Sequence, residues 1–205
     1  MAHGGHILRV VRFRSRGAEP DGYLRSDIIP YLRGLPGLLD VHVGRRDEAE
    51  GDNRIVAMVW SDRAAMIDAV GESVEIAPSF TERTGITEVE SLEVLDLRIE
   101  LPFATREPSA LLRVFRGEVR PGELDAYIVE TEAGTLADAA AGRGPAVLYL
   151  AADPPDRFVT ISLWPSWQTI AAATGGDIHR PTTTKDSSRL TGMDVTHYEV
   201  VPDMT

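Results

Sequence analysis

Two arginines are candidates for binding chemistry because they occupy equivalent positions in apolar segments with strand composition. Arg9 lies within residues 7–12, and Arg113 lies 104 residues later, within residues 111–116. A buried guanidinium needs a partner, because its desolvated charge is otherwise costly. We therefore expect each arginine either to pair with a carboxylate or to line a cavity where it binds an anionic ligand.

A histidine and a tyrosine are the candidates for proton transfer. His179 follows Gly175 and Gly176 in a predicted loop, and loops on a rigid sheet often carry function. Its imidazole is suited to act as a general base near neutral pH, and a solvated loop residue is the alternative interpretation. Tyr149 lies in a predicted strand and is a second candidate, if its side chain projects into a cavity.

Three tryptophans are candidates for an apolar binding wall. Trp60 and Trp164 each end a predicted strand, where a large aromatic either plugs the core or lines a cavity. Trp167 begins the next predicted helix and has no counterpart in the first part of the chain. This asymmetry favours a specialised second half.

Composition excludes several classes of function. The chain has 205 residues, a formal net charge of -11 and no cysteine. The negative charge disfavours binding to nucleic acid or to anionic lipid surfaces. Without cysteine there are no disulfides and no zinc-thiolate or iron–sulfur sites. No metal motif, membrane span or signal peptide is predicted, so we expect a cytoplasmic protein.

The chain repeats itself at an offset of 104 residues. Besides the two arginines, the offset matches further residues of the same type, namely Arg16 with Arg120, Glu19 with Glu123, Tyr23 with Tyr127, Trp60 with Trp164 and Gly71 with Gly175. The predicted organisation is a flexible leader over 1–6, a first repeat over 7–101, a linker over 102–109 and a second repeat over 110–205. A tandem duplication is therefore predicted.

Each repeat is predicted to be a ferredoxin-like βαββαβ unit of an α+β protein. A helix is expected over about residues 21–32, kinked or shortened by Pro30, and Ser61 is expected to cap the next helix. The strands are apolar on both faces, whereas a sheet with one solvated face would alternate. The two antiparallel sheets are therefore predicted to pack face to face.

The sequence resembles the dimeric α+β barrel superfamily, in particular tandem antibiotic-biosynthesis-monooxygenase-type domains. The resemblance covers residues 7–202, and it is carried by the opening strands, by the segment 120–123 and by the strand-to-helix junctions 59–62 and 163–166. It implies a self-contained pseudo-dimer, with a further homodimer left open. It also implies a small-molecule-binding protein without a cofactor, acting as a cofactor-independent monooxygenase on a hydrophobic or aromatic substrate.

Under that resemblance, His179 or Tyr149 would deprotonate the substrate and Arg113 would stabilise the resulting anion. The remaining candidates for substrate binding are Trp164, Trp167, Trp60 and Arg9. The alternative is a non-catalytic ligand-binding or structural protein. Haem binding ranks third, because the family's haem-degrading members carry a histidine on the second helix, and no histidine lies between His42 and His179.

Overall fold

The computed structural model describes residues 5–15, 22, 24–46, 52–73, 86–103, 108–182 and 187–201. Several sequence predictions lie outside these residues. They concern the leader up to residue 4, most of the linker, and the residues Arg16, Glu19 and Tyr23. The described chain divides into two compact units.

The first unit comprises the described residues of Gly4–Leu95 and Tyr198–Thr205. Its elements are listed here in chain order: β1 (Ile7–Ser15), a π-helical segment (Leu24–Ile28), α1 (Ile29–Arg33), β2 (Leu38–Arg46), β3 (Asp52–Trp60), α2 (Arg63–Val70) and the first part of β4 (Ile86–Pro102). The strand order is β4-β1-β3-β2. This is the predicted βαββαβ order.

The second unit contains Asp96–His197. Its elements are listed here in chain order: β5 (Leu111–Val119), α3 (Leu124–Ala140), β6 (Val147–Asp153), β7 (Arg157–Trp164), α4 (Trp167–Thr174), a short 3₁₀ segment (Ser187–Arg189) and most of β8 (Leu190–Val200). The strand order is β8-β5-β7-β6. The α+β fold class with antiparallel strands is thus confirmed.

The two repeats pair their first and third strands in the same register. Ile7 pairs with Trp60 at the end of β1 and β3, and Leu111 pairs with Trp164 at the end of β5 and β7. Both pairs are related by the sequence offset of 104. Positions 104 residues apart can therefore be compared as structural equivalents.

Two strands belong to both units. Asp96 to Pro102 of β4 pair with β6, and Val200 and Glu199 of β8 pair with β2 at Gly44 and Arg45. The boundaries of the units therefore fall inside β4 and β8, whereas the predicted repeats meet at the linker 102–109. Each predicted repeat thus gives the end of its last strand to the other unit. The repeat boundaries themselves remain a prediction.

One local prediction is corrected. Asp62, and not Ser61, caps α2, since its carboxylate accepts from the Ala65 backbone N–H at 2.8 Å. The helix expected around Pro30 is divided into the π-helical segment and the short α1, and Pro30 lies in the first turn of α1.

The strands are buried on both faces, as predicted. On β3, Val56 and Met58 lie in the same core cluster as Ile29 of α1 and Met66 of α2. On the opposite face of the strand, Ala57 is also buried. In the second unit, α3 packs on β5, β6 and β7, and α4 packs its Ile170 and Ala173 on Leu111 and Trp164.

Candidate functional site

Arg113 lies on the face of β5 that packs against α3, and its side chain is buried. Its Nη2 donates to the backbone carbonyls of Arg180, at 2.6 Å, and of Ile178, at 3.5 Å. The guanidinium carbon also lies 5.5 Å from the centre of the Phe115 ring, which favours a cation. Among the described residues, no carboxylate lies within ion-pair distance of Arg113, and its Nε has no acceptor.

The charge on Arg113 is therefore poorly compensated. Burial lowers the pKa of Arg113 to about 10, and the nearby Tyr127 hydroxyl opposes this shift. The side chain is still a cation at neutral pH. A buried cation held only by neutral carbonyls is a favourable binding partner for an anion.

Arg113 lines a cavity between the sheet and α3 of the second unit. The lining residues come from β5, α3, β6, β7 and the two loops after the helices; they are Arg113, Phe115, Tyr127, Thr135, Asp138, Pro145, Leu148, Thr160, Ser162, Trp164, Pro181 and Thr182. The cavity volume is about 20 Å³, which holds about one water molecule.

Strand β7 supplies a polar and aromatic wall. Thr160, Ser162 and Trp164 alternate along the strand, so their side chains lie on the face that packs against α3. The Trp164 indole Nε1 donates to the Ser162 hydroxyl at 2.9 Å. The wall therefore combines an oriented indole with two buried hydroxyl groups.

Helix α3 supplies the opposite wall. Tyr127, Thr131, Thr135 and Asp138 are all buried, and their spacing places them on one helix face. The Asp138 carboxylate lies 3.1 Å from Nε of Arg143, a half-exposed arginine in the loop that follows α3. A buried carboxylate and a buried guanidinium thus line the same cavity.

Tyr127 is a neutral hydrogen-bonding group in this wall. Its ring lies 4.5 Å from the Phe158 ring, and burial raises the pKa of Tyr127 well above its usual value, with the nearby Thr131 hydroxyl opposing the shift. The phenol stays protonated through the physiological range. It can donate a proton in a hydrogen bond but does not act as an ionised base there.

The structure brings Arg113 and Trp164 together on the cavity wall, but it places Tyr149 elsewhere. Tyr149 is buried, and its neighbours Leu148 and Leu150 belong to the core cluster under α3. Because side chains alternate along a strand, Tyr149 lies on the opposite face of β6.

His179 and Trp167 lie at the surface of the second unit. The His179 ring lies 5.5 Å from the His197 ring, and the exposed Trp167 indole lies 5.0 Å from the same His197 ring. His179 is exposed, although the carbonyls on both sides of it bind Arg113. Its proposed role as a base stays a prediction.

Arg9 and Trp60 occupy the equivalent positions in the first unit. Arg9 donates to the carbonyls of Gly71, at 3.0 Å, and Ser73, at 3.3 Å, and burial lowers its pKa. Trp60 is buried in the apolar core, and its indole N–H has no acceptor among the described residues. The expected carboxylate partner is absent for both arginines within the described chain, because backbone carbonyls of the following loop take its place.

Sequence reasoning missed most of the polar cavity wall: Tyr127, Thr135, Asp138, Thr160 and Ser162. A sequence signal exists for part of it. Tyr127, Thr135 and Asp138 follow one another at spacings of 8 and 3 residues in a predicted helical stretch, which is the pattern of one helix face. Polar residues on the buried face of a helix indicate a polar cavity or a hydrogen-bond network.

Two searches of the described residues for other site types were negative. They contain no cluster of three or more histidine, aspartate or glutamate side chains that could hold a metal ion. None of the described helices is long and apolar enough to cross a membrane.

The chain matches no known family profile and no curated protein sequence. Its structure is similar to that of a proposed monooxygenase of Fusobacterium nucleatum (TM-score 0.67, 13% identity, 96% of this chain and 93% of that chain covered). It is also similar to a proposed monooxygenase of Lactobacillus acidophilus (TM-score 0.64, 14% identity, 96% and 94% covered).

A third similar structure is an anthrone oxidase-like protein, with a TM-score of 0.60, 13% identity and 98% and 93% of the two chains covered. At such low identity these similarities concern the fold, and they extend over nearly the whole chain. The predicted resemblance is confirmed at the level of the fold: the chain has the α+β fold of these monooxygenase-type structures.

Proposed function

We propose that the second half of the chain binds a small hydrophobic or aromatic molecule and oxidises it as a cofactor-independent monooxygenase. The observation that carries this proposal is the buried Arg113 cation on the wall of a cavity that also contains Trp164. The similarity in fold to monooxygenase-type proteins supports the same class of reaction.

The charge of Arg113 determines the kind of substrate. A substrate that loses a proton becomes an anion, and a preorganised cation in a dry site stabilises that anion more strongly than water does. Phe115, Tyr127 and Trp164 provide flat apolar surface for an aromatic ring. A molecule with an acidic C–H or O–H group on an aromatic frame satisfies both conditions.

The proposed reaction balances without a cofactor. An activated CH₂ group between aromatic rings loses a proton, and the carbanion gives its electrons to O₂ as the new C–O bond forms. Protonation gives a hydroperoxide, which loses one water molecule and leaves a ketone. The substrate is the reductant, one oxygen atom enters the product and the other leaves as water.

Asp138 is the proposed proton acceptor. It is the carboxylate among the cavity-lining residues, and it lies in the same wall as the neutral Tyr127. His179 and Tyr149 remain the candidates from the sequence, although neither lines the cavity. Substituting each of the three separates these assignments.

A non-catalytic ligand-binding or structural protein is the second candidate. The cavity volume of about 20 Å³ favours a structural role, because an aromatic ligand or substrate needs a far larger space. Catalysis therefore requires the cavity to enlarge when a substrate binds.

Oxygen uptake with anthrone tests the proposal. Purified protein without added metal, flavin or haem should consume one O₂ per anthrone oxidised. Arg113→Met should lower kcat/KM by at least about tenfold, because the charged hydrogen bond to the anion is lost. Arg9→Met is the matched control at the equivalent position and should leave the rate unchanged.

The base assignment is tested with the same assay. Asp138→Asn should lower kcat, whereas His179→Gln and Tyr149→Phe should not. A loss of kcat with His179→Gln alone would identify His179, in the surface loop, as the base. Binding of anthrone without oxygen uptake would favour the non-catalytic alternative.

A further inference from the structure

A large open groove lies beside the Arg113 cavity. Its volume is about 640 Å³, and its lining residues come from the end of α4, the loop after it and β8; they are Thr174, Arg180, Pro181, Thr182, Ser187, Leu190, Thr191, Gly192 and Met193. This volume is within the range of small-molecule sites. The groove and the cavity share two lining residues, Pro181 and Thr182.

The segment Ile178–Thr182, which we call the partition, therefore separates a closed cavity from an open groove. It follows Gly175 and Gly176, whose φ angles of 70° and 98° end α4 in a left-handed conformation. Arg113 holds the partition from inside through the carbonyls of Arg180 and Ile178.

The hydrogen bonds that hold the partition can be exchanged for those of a ligand. Neutral carbonyl acceptors compete poorly with a carboxylate, phenolate or sulfonate for a guanidinium, because charge-assisted hydrogen bonds are about twice as strong. An anion that reaches Arg113 removes the bonds that hold the partition in place. The cavity and the groove would then open into each other.

We propose that the cavity and the groove are the inner and outer parts of one binding site for an aromatic anion. The acidic group binds Arg113, the rings lie between Trp164 and the groove, and the partition moves aside when the anion replaces the two carbonyls. This inference rests on the proposed function, whose cavity it extends. It explains how an aromatic molecule can bind at a cavity that by itself holds about one water molecule.

A pair of fluorescent probes tests the proposal on the full chain. Anilinonaphthalene sulfonate is an aromatic anion, and phenylnaphthylamine has the same aromatic frame without the charge. Arg113→Met should weaken binding of the sulfonate by at least about tenfold and that of the neutral probe by much less. Arg9→Met, the equivalent change in the first unit, should alter neither.

A groove variant tests the outer part of the site. A Cβ atom added at Gly192 would lie 3.4 Å from the nearest atom, an oxygen of Glu118, so the backbone accepts a side chain there. Gly192 lines the groove and not the cavity, so Gly192→Phe adds a side chain at the groove without replacing a residue that contacts Arg113. It should weaken binding of both probes, and urea unfolding should verify that both variants remain folded.

Hydrogen exchange provides a third measurement that needs no variant. Saturating sulfonate probe should speed amide exchange in residues 177–182 other than Pro181, which has no amide N–H, since Arg113 no longer holds the carbonyls of Ile178 and Arg180. Residues 71–73, which Arg9 holds in the same way, are the internal control and should not change.

Three results would overturn the inference: no binding of the sulfonate probe, normal binding by Gly192→Phe, or unchanged exchange at 177–182. They are separable from failure of the proposed function. If the protein oxidises anthrone and Gly192→Phe binds the probes normally, the reaction in the cavity is supported and the groove is not part of the site. If probe binding depends on both Arg113 and Gly192 but anthrone is not oxidised, the binding site is supported and the proposed reaction is excluded.

Discussion

The two halves of the chain have the same strand register but different residues around the equivalent arginine. In the second half, Thr160 and Ser162 lie beside Arg113 on the cavity wall. At the equivalent positions of the first half, 104 residues earlier, Val56 and Met58 belong to an apolar core cluster. Two substitutions in one strand thus distinguish a polar wall from an apolar core.

The tryptophans show the same difference. Trp164 donates its indole N–H to Ser162, whereas Trp60 has Met58 at the equivalent position and no acceptor among the described residues. The fold explains why both tryptophans are buried at the end of a strand. It does not explain the serine, which we therefore assign to the site.

Converting the second half into the first should have the largest effect. Thr160→Val with Ser162→Met fills the cavity, so binding of the aromatic anion should weaken by at least about tenfold. Overpacking should also lower the free energy of unfolding by about 1–3 kcal/mol. Fluorescence titration and urea unfolding measure the two effects.

The reciprocal change in the first half is the control. Val56→Thr with Met58→Ser should leave probe binding unchanged and should destabilise the protein, since a large apolar side chain is removed from the core. Equal loss of binding from both double variants would contradict a site that is confined to the second half.

The pH dependence of binding distinguishes the charge of Arg113 from its shape. Burial lowers the pKa of Arg113 to about 10, so the side chain is charged below that pH and loses its proton above it. Affinity for the sulfonate probe should be constant up to about pH 9 and then fall, approaching about tenfold per pH unit once Arg113 is mostly neutral. The neutral probe and Arg113→Met should show no such fall; a parallel fall in all three would indicate alkaline unfolding.

The tryptophan comparison should have the smallest effect. Trp164→Phe removes a buried hydrogen bond and leaves Ser162 without its donor, whereas Trp60→Phe removes an N–H group that has no acceptor among the described residues. Trp164→Phe should therefore destabilise the protein by about 1 kcal/mol more than Trp60→Phe. Urea unfolding measures the difference, and an equal cost would show that Trp60 has an acceptor or that packing alone decides.

The sequence was sufficient to predict the order of the elements and the matching strand register of the two halves. Hydrophobic patterning and the offset of 104 residues can both be read directly from the chain. It also singled out Arg113 and Trp164, which both line the cavity, since a charged and a large polar-tipped residue in apolar strands are unusual. These predictions depend on residue type alone.

The remainder of the site depends on which strand face meets which helix. Tyr149 lies on the face of β6 opposite Leu148, and the sequence alone does not indicate which of these faces packs against α3. Asp138 was not singled out, because a carboxylate in a helix is ordinarily solvated and only the packing of α3 buries it. The carbonyl partners of Arg113 and Arg9 are invisible to sequence reasoning, since every residue carries a carbonyl.

The exchange of strand ends has a consequence for how the two halves can evolve. Asp96–Pro102 of β4 complete the pairing of β6, and Glu199 and Val200 of β8 pair with β2. A gene truncated between the halves would encode two fragments, each with an unpaired sheet edge, and exposed edges promote aggregation. Each half of the sequence thus depends on a strand end from the other half to complete its sheet, so the two halves must be retained together.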